Sequence, residues 1–139
     1  MAKITGRTAP CGRAEALTRL RQAEAFVLTA ELCLSEADDP DLPLAGTGAA
    51  LAVLGGIAAA DAACCAKLGR RSRGQDHRQA VDLVAGVQPG GAALAKDLER
   101  LLEIKDKVHY GAVVVGYAEA KASVAQAQRM VSLVSELLQ

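Results

Sequence analysis

Between Ala49 and Ala66 the chain runs for 18 residues with a single charge, Asp61, and the run is mostly alanine and glycine rather than leucine and phenylalanine. Alanine favours helix over sheet, and helices faced with small side chains can approach one another closely. The rest of the composition pushes the same way. β-Branched residues are sparse outside Val113 to Val115, there is no Trp, and the aromatics are Phe26, Tyr110 and Tyr117. A core must therefore come from Leu, Val and Ala, which predicts an all-α protein whose helices pack through small side chains. Eighteen residues reach the length needed to cross a bilayer. The Ala and Gly content, and the lack of Trp or Tyr at either end, assign the run instead to the interior of a bundle, with no membrane partner.

A chain of 139 residues has the size of one domain and can bury roughly two-thirds of the surface its unfolded form exposes, without a disulfide or a metal. Its 16 basic and 16 acidic residues cancel, so any nucleic-acid partner must use a local patch, and the few aromatics offer no platform for stacking bases. Cys11, Cys33, Cys64 and Cys65 show no Cys-x-x-Cys spacing, and neither His falls in a zinc pattern, so no metal and no cofactor are expected. Three of the cysteines lie in apolar helical runs, which predicts buried structural thiols and a reducing, cytoplasmic setting. The start, Met1-Ala2-Lys3-Ile4-Thr5-Gly6, has no apolar stretch behind its charge and does not read as a secretory signal.

Periodicity divides the chain into five helical segments. From Arg13 to about Ala37, Leu17, Leu20, Ala23, Val27, Ala30 and Leu34 recur on one face. Asp38-Asp39-Pro40-Asp41-Leu42-Pro43 stops this helix, because its two prolines lack amide hydrogens. Thr47 is placed to cap a second helix that runs to about Leu68 and ends at Gly69. A basic link, Arg70-Arg71-Ser72-Arg73-Gly74, follows. Asp76 can cap a third helix reaching about Val87, with Val81, Val84 and Ala85 facing inward, until Pro89-Gly90-Gly91 breaks it. The fourth begins near Ala92 and carries Leu94, Leu98, Leu101, Lys105 and Val108 in one stripe, so Lys105 lies in line with inward residues. The last, from about Gly116, repeats Tyr117, Ala120, Val124, Ala127, Val131, Val134 and Leu138. An up-and-down bundle of four to five helices is the simplest architecture.

The order of Asp61 in Ala-Ala-Asp-Ala-Ala, Gly69, a basic link, Asp76-His77, and then Leu101-Leu102-Glu103-Ile104-Lys105-Asp106-Lys107 before Tyr110-Gly111 resembles the HEPN superfamily over about residues 15 to 138. The resemblance implies a flexible segment 1–12 followed by one HEPN-like helical bundle domain, 13–139. HEPN domains are often dimeric. Many are metal-independent ribonucleases of toxin and antiphage systems, and others are inactive companions of nucleotidyltransferases. In the active members an Arg followed by a polar residue stands shortly before a His. The His exchanges protons near neutral pH and the Arg neutralises the scissile phosphate.

Laid on this sequence, Lys105 takes the place of the Arg, Asp106 that of the polar residue and Tyr110 that of the His. Lysine keeps the charge without the bidentate fork, and a phenol that titrates near pH 10 is a poor base at neutrality. His109 is one residue early, a turn of about 100° on a helix. The resemblance therefore implies a non-catalytic module that forms a homodimer or pairs with a protein such as a nucleotidyltransferase, in a toxin–antitoxin or related system. The alternative is a ribonuclease using His109 with Lys105 or nearby arginines. Asp61, His77, Lys105, Asp106, His109 and Tyr110 form a candidate groove, and Arg70, Arg71, Arg73 and Arg78 a candidate phosphate patch. RNA binding through that patch is the less favoured reading. Asp61 is costly to bury alone and is expected to pair with Lys105, His77 or Arg70.

Overall fold

The computed structural model describes residues 7–39, 41–73, 77–109 and 114–139. The expectations placed on Asp76, Tyr110 and Gly111 concern residues outside these. Five helices and a two-stranded sheet are seen among the described residues: β1 (Thr8–Pro10), α1 (Arg13–Ser35), α2 (Leu44–Leu68), β2 (Arg70–Ser72), α3 (His77–Ala85), α4 (Gly91–His109) and α5 (Tyr117–Leu137).

The alanine-rich run is the centre of the fold. α2 packs against α1, α4 and α5 and also touches α3 and β2. Two-thirds of its most apolar 18-residue window, 67%, is buried by these neighbours, although by length and composition alone the helix could cross a membrane. Small residues make the approaches close. A Cβ on Gly56 would collide with Leu101 of α4, and one on Gly55 would stand 3.0 Å from Val27 of α1. Leu94, Leu98 and Leu101 of α4 are at most 1% exposed, so each withdraws a whole side chain from water, worth about 1.5–3 kcal/mol.

The helix faces largely follow the spacing, with local exceptions. On α1 the buried row is Ala16, Leu20, Ala23, Val27 and Ala30, so Ala16 takes the inward place expected of Leu17, which is 43% exposed. On α5 Met130 is buried rather than Val131, and Tyr117 is 51% exposed. On α3 Gln79 and Leu83 join Val81 and Val84 inside, whereas Ala85 faces out. α2 begins three residues before Thr47, whose hydroxyl donates to the Pro43 carbonyl at 3.1 Å inside the first turn and caps nothing. Gly69, at φ 73°, ends α2 in the left-handed conformation that favours glycine.

The sheet was not expected. Thr8 pairs with Ser72, Ala9 with Arg71 and Pro10 with Arg70 in antiparallel register, and the Cys11 amide donates to the Gly69 carbonyl at 3.0 Å. A disulfide joins Cys11 to Cys65 near the end of α2. Residues 8–11 are thus tied to β2 and the end of α2, and the basic link is in part a strand. Two of the four cysteines are bridged. Cys33 and Cys64 remain thiols, Cys64 buried. The cysteine spacing hid this, because the bridge depends on strand pairing that brings together positions 54 residues apart.

Candidate functional site

Asp61 lies four residues before Cys65, on the side of α2 that faces the sheet and α1, and is 9% exposed. Its Oδ2 accepts from Arg19 Nε at 3.1 Å and Nη2 at 2.9 Å, and Arg71 Nη1 stands 3.7 Å away. Burial raises the Asp61 carboxyl above its usual value, and the charges of Arg19 and Arg71 oppose that shift without cancelling it. The expected link to Lys105, His77 or Arg70 is therefore replaced by Arg19. The sequence did carry a signal for it. Arg19 is three residues after Ala16 and four before Ala23, both fully buried, so it shares their side of α1.

Lys105 and His77 form their own pair. The Lys105 Nζ lies 2.6 Å from His77 Nε2, which joins the penultimate turns of α4 to the first residue of α3. His109, the last residue of α4 and one turn beyond Lys105, is half-buried. Its imidazole is lowered from the usual 6.5, first by burial and then by the Lys105 charge. Asp106 is exposed, and Tyr110 is not among the described residues.

Asp61 and His77 open onto one pocket of about 240 Å³ between α1, α2, β2, α3 and α4. Arg19, Arg71 and Arg73 line its polar side, while Ile57, Leu83, Leu98 and Leu102 supply apolar wall. The pocket thus unites members of two sets that the sequence kept apart, Asp61 and His77 from the groove and Arg71 and Arg73 from the phosphate patch. Arg19, the Cys64 thiol and the leucines were missed. Burial pushes that thiol up to about 12, which keeps it protonated at neutral pH. The patch itself divides. Arg70 is exposed on β2, and Arg78 turns to Asp82 and Glu99, each at 3.5 Å.

α4 is also tied to α5, both near its end and nearer its start. Lys107 bonds Glu119 of α5 at 2.9 Å, and Arg129 of α5 bonds the buried Asp97 at 3.0 Å. Among the described residues no group of three His, Cys, Asp or Glu side chains could hold a metal ion. Neither a protein-family model nor a curated protein sequence matches this chain.

Proposed function

We propose that the chain is a non-catalytic HEPN-like up-and-down bundle acting as a dimerisation or partner-interaction module in a toxin–antitoxin or nucleotidyltransferase-associated system. One observation carries the non-catalytic half: Lys105, the cation in the place of the phosphate-neutralising Arg, is held 2.6 Å from His77. Its ammonium is engaged on α3 rather than left open to a phosphate. Burial and the Lys105 charge lower the His109 imidazole from its ordinary value and so favour its neutral form.

Support for the interaction half comes from α1. Leu28 and Leu32 lie one turn apart on its outer side and are 59% and 58% exposed. A second copy using the same face makes a closed two-fold pair that buries both leucines twice. Purified protein is expected to leave structured and single-stranded RNA intact and to have the mass of a dimer by light scattering at micromolar concentration. Leu28→Lys with Leu32→Lys should yield monomers that retain the helical circular dichroism. RNA cleavage abolished by His109→Ala would establish the ribonuclease reading instead, and a strictly monomeric wild type would remove the homodimer.

A further inference from the structure

The pocket around Asp61 has a composition that a purely structural ion pair does not require. Among the described lining residues three guanidinium groups, from Arg19, Arg71 and Arg73, accompany one carboxylate, an excess of two positive charges. Arg19 is spent on Asp61 through two of its nitrogens. Arg71 is only loosely engaged at 3.7 Å with its side chain 39% exposed, and Arg73 is exposed at the rim. Such a surplus at a concave, partly desolvated site attracts an anion, and guanidinium forks match carboxylate and phosphate oxygens.

The opposite wall decides what the anion is attached to. Ile57 and Leu102 are half-buried there, over a floor of Leu83 and Leu98, and among the described lining residues there is no Phe, Tyr or Trp. Branched aliphatic side chains on this wall complement an alkyl chain. The cavity volume of about 240 Å³ suits a small ligand.

We propose that this pocket binds a short aliphatic anion, its head on Arg71 and Arg73 and its alkyl tail against Ile57 and Leu102. The site is independent of the family resemblance and of dimerisation, so it stands or falls without them. Titration calorimetry on the oxidised full chain, with hexanoate, hexyl phosphate, acetate, inorganic phosphate and 1-hexanol as probes, tests it.

Saturable one-to-one binding is expected for hexanoate or hexyl phosphate, and whichever is tighter identifies the head group. Acetate, inorganic phosphate and hexanol should each bind at least about ten-fold more weakly, since each lacks one half of the ligand. Arg71→Gln should weaken binding about ten-fold or more, as expected for the loss of a charge-assisted hydrogen bond. Arg73→Gln, at an exposed position, should do the same in a protein whose unfolding is unchanged, and this guards against a folding defect in the first variant. Equal affinity for inorganic phosphate and hexyl phosphate would overturn the proposal by showing charge attraction alone. So would the absence of saturable binding by either six-carbon anion, or binding that survives both substitutions.

Discussion

An acid in the middle of an alanine-rich helix is tolerable only in company, and for Asp61 that company is chiefly Arg19. Arg19→Ala would strand a carboxylate that is 9% exposed, and a loss of about 2 kcal/mol in denaturant unfolding at pH 7 is expected. The deficit should shrink as the pH falls, because Asp61 can then take a proton and shed the charge that has lost its partner. The direction in the unmutated chain agrees. With its titration raised above 3.8 in the fold, this carboxyl contributes most below that value, and its contribution declines as the pH rises through the raised one. An Arg19→Ala deficit that does not shrink as the pH is lowered through the Asp61 titration would show that Asp61 does not carry the effect.

Among the elements, α2 shows most directly how small residues set geometry. Gly56→Ala gains about 1 kcal/mol of helix propensity but drives a methyl into Leu101, which is fully buried and has no free direction to move. Overpacking of this kind costs about 1–3 kcal/mol, so a net loss of about 1 kcal/mol is expected. Shortening the neighbour with Leu101→Val should recover part of it, and a double-mutant cycle with strictly additive effects would refute the contact. All five helices were legible because apolar residues recur at the helical period over long stretches and glycine or proline marks several of the ends. The sheet was not. Three-residue strands show no period, and the pairing of Thr8–Pro10 with Arg70–Ser72 spans the whole of α1 and α2. The inward side of a helix also drifts from any strict count, which is why Ala16 and Met130 replace Leu17 and Val131 in the interior.

For the whole molecule, the Cys11–Cys65 bridge is the main long-range covalent constraint. Closing a loop of sequence separation 54 restricts the unfolded chain by about 4 kcal/mol, so Cys65→Ser or a dithiol reductant should lower the unfolding free energy by about that amount. Cys33→Ser, which removes a free thiol, should change it little. An unchanged unfolding midpoint under reducing conditions would contradict the bridge. The candidate site was legible in its ingredients rather than in its assembly. Asp61, His77, Arg71 and Arg73 could be named from chemistry, but their meeting depends on where β2 lies, and β2 is set by a pairing and a crosslink that no local pattern reports. The same crosslink has a consequence for chain integrity. Since Cys11 precedes α1 and Cys65 lies near the end of α2, a cut introduced between the two helices, at residues 36–43, divides the backbone into two pieces without separating them. The two pieces of a chain cut there stay covalently joined for as long as the bridge is oxidised.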